Sequence, residues 1–504
     1  MLKNTGYISW VLVGVVILGV LGIFAVQFSQ ATIVGADGFL HARMAELISG
    51  NGFIKSFGQA RFSWFATRFS DKDFLYHLYL IAFNKAFGFI MGTKMAAAAA
   101  GGLLFASVVF IIYYNHRRLV PVFVSLTYFL SAGFLRDISE PRPFVLAMTV
   151  TLFTLAAIMT GNIKAVFFLC IFLGMLHLSA WVLPLFALLL SVYYYIKTGR
   201  QNFRVFIAAA AGYLGSFLLH PNFPNNIFYM YLNGMLVPIY AVKTGVLELG
   251  AEFFPLNTSD VLSRYPVTVL TIVVIFIFVF TRTLRPNNRL TGWGLAFLLF
   301  SLFSIFSTKN FTLAYPITIV FLATAVDVMI SLLKTLHKNE RIRLIPILTV
   351  LIFVFIGFSI FNTVRWLNAM LLADNVYARH FAAVAGVINQ KIPKGELIFH
   401  SNWSDSQYLI GLAPDYDYYV TLDPIYMYSF NRELYQKYRT LSFGKSTDPY
   451  QLLLQEFHTA YGYAGKNYFN GLISQVRADN RFNILYEDNL GIVFRLMAAE
   501  QNHR

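Results

Sequence analysis

Apolar runs of membrane-spanning length recur from Trp10 to Phe361, separated by short polar segments. A hydrocarbon core about 30 Å thick needs roughly 20 apolar residues in a helix. The pattern predicts about eleven spans, near residues 8–28, 93–114, 119–135, 142–160, 163–178, 180–197, 204–220, 265–282, 291–307, 311–333 and 343–363. The fifth and sixth could instead form one long helix broken near His177, which would invert everything after it. Charge speaks against that. With Lys3 inside, the inner loops are His116–Arg118, Gly161–Lys164, Lys197–Arg204, Arg282–Arg289 and Lys334–Arg343, all of them basic, as the positive-inside rule requires. The outer side then holds loops 29–92, 136–141, around 177–180, 220–264, 307–310 and everything after 364.

From about Arg365 the pattern changes. The segment 395–497 reads as a small soluble α/β domain. Strand-like runs are Glu396–His400, Tyr418–Leu422 and a hairpin of Phe482–Tyr486 with Ile492–Leu496. Helix-like runs are Arg432–Arg439, Tyr450–Tyr461 and Tyr468–Arg477. The expected fold class is an all-α polytopic membrane domain, 1–364, followed by an extracytoplasmic C-terminal α/β domain, 365–504. No solenoid repeat or low-complexity tract interrupts it.

Composition sharpens this picture. Charged residues make up 12% of the chain, about half the roughly 25% of a soluble domain. The net charge of +15 sits mainly in short inner loops, which favours topology control over nucleic-acid binding. The single cysteine, Cys170, allows no intrachain disulfide, so an exported portion must fold by packing alone. Lys3 and the apolar run behind it have the look of a signal peptide. No small-residue cleavage site follows, and the run is long enough to span, so it reads as a helix.

Charges close to the expected membrane surface are the candidate chemistry. Gly35–Glu46 places Asp37, His41, Arg43 and Glu46 directly after the first span. Asp37 and His41 are four apart and share a helix face. Asp37 suits a general base or a metal ligand, or else caps a short helix. Asp71, Asp73 and His77 read as solvated positions on an amphipathic helix. Arg136-Asp-Ile-Ser-Glu-Pro-Arg-Pro143 fills one tight outer loop. Its arginines and carboxylates suit a phosphate-bearing substrate with a base or metal, or they pair with each other. Two arginines in an outer loop run against the topology rule and favour function. His177 and His220 stand at membrane edges, where a lone histidine is more often a packing residue. Lys309 suits a phosphate contact or snorkels. Asn402-Trp-Ser-Asp405 and Leu422-Asp-Pro424 are polar–aromatic turns that suit an acceptor or ordinary turn chemistry.

Asp37-Gly-Phe-Leu-His-Ala-Arg-Met-Ala-Glu46, followed by Gly50-Asn-Gly-Phe53, resembles the first outer loop of the GT-C glycosyltransferases, nearest to the catalytic subunit of oligosaccharyltransferase and its archaeal and bacterial relatives. Asp73–Gly88 is similar to the second juxtamembrane helix of that loop. The resemblance implies sugar transfer from a polyprenyl-phosphate-linked donor to a protein, lipid or polysaccharide acceptor at the outer face. It implies Asp37 and Glu140, with Asp137, as the loop acids. By the family pattern Arg136 or Arg142 would contact donor phosphate; the residues themselves add Lys309 as a phosphate contact and His41, Arg43, His177 and His220 as substrate contacts. A divalent cation, Mg²⁺ or Mn²⁺, on Asp37 and Asp137 is part of the same expectation. Two features depart from the family: the paired tryptophans before Asp-Tyr-Gly are absent, and the second loop has no acid-x-acid pair. The compact architecture, without eukaryotic sorting signals, points to a bacterial inner membrane with a cytoplasmic N-terminus. Two other classes compete. A lipid or sugar transporter would carry charge at mid-membrane, where only Asp327 stands. A non-catalytic assembly protein on a GT-C scaffold would tolerate Asp37→Asn.

Overall fold

The computed structural model describes residues 5–116, 125–199, 203–243, 245–280, 288–333, 338–421, 423–466 and 470–497. Helix α1 (Thr5–Phe28) is apolar along its whole length and leaves Trp10 77% exposed, as a lipid-facing helix would. It lies along α4 (Phe89–His116), and small residues set how close the two come. A Cβ on Gly19 would stand 2.0 Å from the Phe105 ring, while Gly101 and Gly102 receive Ile23 and Val20. Between these helices the first long loop folds into α2 (Asp37–Asn51) and α3 (Phe74–Phe87).

The next elements start and stop where local chemistry dictates. Ser131 accepts the Phe134 N–H and caps α5 (Ala132–Ser139). Pro143 opens α6 (Pro143–Thr160), where its missing N–H costs nothing. Gly161, left-handed at φ +73°, closes it. Helix α7 (Ile163–Leu176) ends at His177, whose Nδ1 accepts the Ser179 N–H of a 3₁₀ turn, Leu178–Trp181, that leads into α8 (Val182–Thr198). The chain thus breaks at His177. Helix α9 (Arg204–Leu219) lies against α7, and Gly212 lets its backbone approach the Phe167 carbonyl.

Six helices are long and apolar enough to cross a membrane, or seven if Thr258–Arg264 and Pro266–Ile275, bent by 101°, form one span; α7, α9 and Arg289–Ser304 are shorter apolar helices. The protein is a multi-pass membrane protein. One predicted span has no matching helix among the described residues. At 119–135 the described part holds a 3₁₀ turn, Leu126–Phe129, and the start of α5, and the residues before Ser125 lie outside the description. So do all or part of four basic loops, at 116–118, 197–204, 282–289 and 334–343, together with Lys3.

A single helix, Lys338–Lys391, runs 54 residues, about 80 Å at 1.5 Å per residue. It passes through Arg365 without a break, so the change of composition there is a change of surroundings along one helix. Beyond it lies a five-stranded sheet of β1 (Leu397–His400), β2 (Asp417–Tyr418), β3 (Tyr461–Gly465), β4 (Phe482–Glu487) and β5 (Gly491–Leu496) in the order β2-β1-β3-β5-β4. Strand β1 runs parallel to β2 and β3, and β4 and β5 form the expected hairpin. Two expectations are corrected here. The helix expected over Tyr450–Tyr461 ends at Glu456, and Tyr461 opens β3. Strand β2 stops at Tyr418, and Leu422 lies outside the described residues.

The C-terminal domain clamps the first long loop. The Tyr418 N–H donates to the Gln59 carbonyl at 2.7 Å, Phe62 stacks on Tyr419 at 4.8 Å, and Gly411 sits against Phe39 of α2. His380, on the long helix, bonds Asp488 at 2.6 Å and the Tyr463 hydroxyl at 2.8 Å. Together these contacts hold the sheet over α2.

Candidate active site

A cavity of about 1470 Å³ opens where α2, the 220–264 segment, the C-terminal domain and Arg136–Pro143 meet; the loop expected at 136–141 is in fact the last turn of α5 and a short link to α6. Its apolar wall includes Val237, Phe300, Phe303, Phe306 and Leu313. Its polar wall is built from residues far apart in the chain.

The Gly-Ala-Asp-Gly entry to α2 fits closely onto Glu140-Pro141. Gly35 has φ +72°, and a Cβ there would lie 2.1 Å from the Glu140 carboxylate; on Gly38 it would lie 2.9 Å from Pro141. This approach sets Asp37 beside Glu140, with Arg142 between them. Arg142 Nε lies 2.8 Å from Asp37 Oδ2, Nη2 lies 2.9 Å from Glu140 Oε1, and Nη1 donates to Glu252 Oε2 at 3.1 Å. Arg136 donates to Glu140 Oε2 at 2.8 Å and forks onto both oxygens of Asp374 at 3.1 Å. Lys309 pairs with Glu252 at 3.2 Å. Burial pushes the Glu140 carboxyl up to about 7 against the pull of both arginines. Burial acts the same way on Glu252, but Lys309 and Arg142 outweigh it and hold that carboxyl down at about 2.

A second cluster begins at His41, one turn further along α2. His41 Nδ1 meets His77 Nε2 at 2.8 Å, and His77 Nδ1 meets Asp71 Oδ2 at 2.7 Å. His220 fixes the far end: Nε2 donates to the Asp71 carbonyl at 2.9 Å while Nδ1 accepts the Asn222 N–H, and Asn222 Oδ1 accepts the Asp71 N–H. Asp71, Asp73 and His77 are 5%, 2% and 3% exposed, which corrects their reading as solvated positions. The His220–Asn222 turn and α2 cover the face that the helical period leaves open. Asp73 pairs with Lys72 at 2.9 Å, and Lys72 lines the cavity.

His41 and His177 both reach the cavity wall. Burial lowers each to about 3, so both are neutral. The Nδ1 of His177 accepts a backbone N–H, so its proton sits on Nε2 and can be donated. From the C-terminal domain come Asn402, Trp403, Gln407 and Asp423. Burial, with Glu252 adding to it, pushes the Asp423 carboxyl up to about 7.

Of the residues singled out in the sequence, Asp37, His41, Arg136, Glu140, Arg142, His177 and Lys309 line this one cavity. Three lie elsewhere. Arg43 pairs with Glu46 at 3.1 Å, Asp137 accepts from Thr312 and meets Arg136 at 3.4 Å, and both nitrogens of His220 are spent on Asp71 and Asn222. Lys72, Glu252 and Asp374 were not anticipated. Only Lys72, between two aspartates, carries a local signal.

The donor set does not fit a divalent cation. Among the described residues no three His, Cys, Asp or Glu side chains form a group able to hold one. Asp37, Glu140 and Glu252 converge instead on a guanidinium. A divalent ion about 4 Å from it would meet a repulsion on the order of 8 kcal/mol at an effective dielectric near 20.

No protein-family model and no curated protein matches the sequence. Solved structures do match the fold. The oligosaccharyltransferase of Archaeoglobus fulgidus in its apo form superposes with a TM-score of 0.62 at 10% identity, covering 90% of this chain and 69% of that one. The same protein tethered to an acceptor peptide with the NVT sequon gives 0.65 at 9% identity, over 97% and 74%. ArnT from Cupriavidus metallidurans bound to undecaprenyl phosphate gives 0.59 at 14% identity, over 97% and 98%. The chain therefore has the fold of the GT-C membrane glycosyltransferases.

Proposed function

We propose that the protein is a membrane glycosyltransferase that moves a sugar from a polyprenyl-phosphate-linked donor to an acceptor at the outer face of a bacterial inner membrane. In this reading it has about eleven spans and a cytoplasmic N-terminus. The observation that carries it is one cavity joining the Asp37 carboxylate, a set of basic side chains and an apolar wall. Undecaprenyl phosphate on ArnT and dolichol-phosphate on the archaeal protein support a lipid phosphate as the leaving group.

The acceptor attacks the anomeric carbon from the Asp37 side. As the new bond to that carbon forms, the acceptor proton passes to Asp37. The bond from the anomeric carbon to the phosphate oxygen breaks, and its electron pair leaves with the polyprenyl phosphate. Both arginines are engaged by carboxylates, so the phosphate falls to Lys72 and Lys309. Each has one carboxylate partner and keeps N–H donors free. His177 Nε2–H is a further neutral donor. The prenyl chain follows the phenylalanine wall, and Trp403 and Gln407 face the acceptor.

The test is release of polyprenyl phosphate from a mixed pool of host polyprenyl-phosphate sugars. Wild type releases it, and Asp37→Asn is slower by about 10²–10⁴-fold. Two inert proteins that still flip labelled lipid would refute the reading and favour a transporter.

A further inference from the structure

We propose that Arg142 occupies the place a divalent cation would otherwise take, so that the fixed positive charge of the site is a guanidinium and transfer needs no metal. What the charge does rests on the transferase reading; where it sits rests on geometry alone.

Three carboxylates from three distant segments approach three different nitrogens of this one side chain, at 2.8, 2.9 and 3.1 Å. Convergence of that kind is how a protein builds a site for a hard cation. Here its centre is filled. The remaining oxygens are mostly spent as well: Glu140 Oε2 on Arg136 and Glu252 Oε1 on Lys309. Of the oxygens of these three carboxylates, one is left without a basic partner, Asp37 Oδ1. Magnesium needs near-octahedral oxygen ligands at about 2.0–2.1 Å, inside the volume Arg142 fills.

Arg142 is also held in place. It sits directly before Pro143, in extended backbone at φ −130° and ψ 150°, with its side chain 15% exposed. A guanidinium stays charged at any working pH, and its planar fork directs each N–H. It therefore holds a fixed positive charge 2.8 Å from Asp37 Oδ2 without lowering the pKa of a bound water, as a metal would. Arg142 is a positioning residue, and Asp37 remains the group that meets the acceptor.

Mn²⁺ titration of the purified full-length protein, read by electron paramagnetic resonance, tests this without any donor substrate. Wild type is expected to show no stoichiometric site up to millimolar Mn²⁺. Arg142→Ala and the bulkier Arg142→Met, each checked for folding by its melting curve, are expected to gain one site. Adding Asp37→Asn to either should abolish it. One Mn²⁺ bound by wild type and lost in Asp37→Asn overturns the proposal. So does a folded pair of Arg142 variants with no gain. In the transfer assay wild type should keep its full rate in EDTA, and a loss restored by Mn²⁺ overturns the proposal while leaving the transferase reading intact. If wild type transfers nothing, that reading fails, and the titration still decides this one.

Discussion

Two buried polar clusters meet along helix α2, and they are built on opposite principles. In one, Asp37, Glu140, Glu252 and Asp374 are matched against Arg136, Arg142 and Lys309, and nearly every charged atom faces an opposite charge. In the other, His41, His77, Asp71 and His220 form a single file of hydrogen bonds that ends at the cavity. A knot of ion pairs is costly to desolvate and costlier to break, so it fixes where chain segments meet. A hydrogen-bonded file holds a geometry and leaves its last member with capacity to spare. His41 Nε2 has no hydrogen-bond partner among the described residues, whereas each Arg142 nitrogen lies within 3.1 Å of a carboxylate oxygen. The knot therefore sets the field of the site, and the file presents a group to the substrate.

The largest effect expected is from Arg136→Ala. It strips Glu140 and Asp374 of their shared partner, and an uncompensated buried charge costs about 3–5 kcal/mol. Thermal unfolding in detergent should show it, with partial recovery in the Asp374→Asn double variant. A cost under about 1 kcal/mol would mean that the knot behaves as surface pairs do, and the contrast with the histidine file would fail.

Next comes pH. The Glu140 and Asp423 carboxyls are both raised to about 7 by burial. A group raised on folding favours the folded state fully below its unfolded pKa, and that contribution is lost as pH rises through the folded value. Between about pH 4 and 7 these two groups make the protein less stable as pH increases. Glu252, held at about 2, acts in the opposite direction only in stronger acid. Melting temperature should thus fall from pH 5 to pH 7.5, and Glu140→Gln should flatten the slope. An unchanged slope in that variant would remove Glu140 as its source.

How far the sequence foretold these clusters differs between them. Asp37, Glu140, Arg136 and Arg142 stand out because a charge beside an apolar span has few innocent explanations. Their partners Glu252 and Asp374 do not. Asp374 lies 238 residues from Arg136, inside a helix whose local pattern is ordinary, and only tertiary folding brings the two together. Asp71 and His77 were misjudged because helical spacing shows which residues share a face, not what covers it. The cover is the His220–Asn222 turn, about 150 residues on. In the same way β3, Tyr-Gly-Tyr-Ala-Gly, has too many glycines to announce a strand, and becomes one because β1 and β5 flank it. The six helices of membrane-spanning length could be read directly, since length and apolarity are local properties.

The file itself is probed by His77→Phe. Loss of two buried hydrogen-bond partners costs about 1–3 kcal/mol, less than breaking the knot. A kinetic split separates positioning from packing. If the file aims His41, kcat falls while KM for the donor stays constant, and His77→Gln restores part of the loss. Equal changes in both parameters would assign the file to packing alone.

Arg43→Ala should have the smallest effect, and it sharpens the comparison because Arg43 shares α2 with both clusters. Six residues after Asp37 and two after His41, it points to neither. Its ion pair with Glu46 has side chains 23% and 42% exposed, so solvent screens it and its loss is worth at most about 1 kcal/mol. Transfer should continue at the wild-type rate. A loss of activity approaching that of Asp37→Asn would place Arg43 in contact with substrate, on a face of α2 that the cavity does not reach. Both clusters would then be parts of a wider site rather than its two walls.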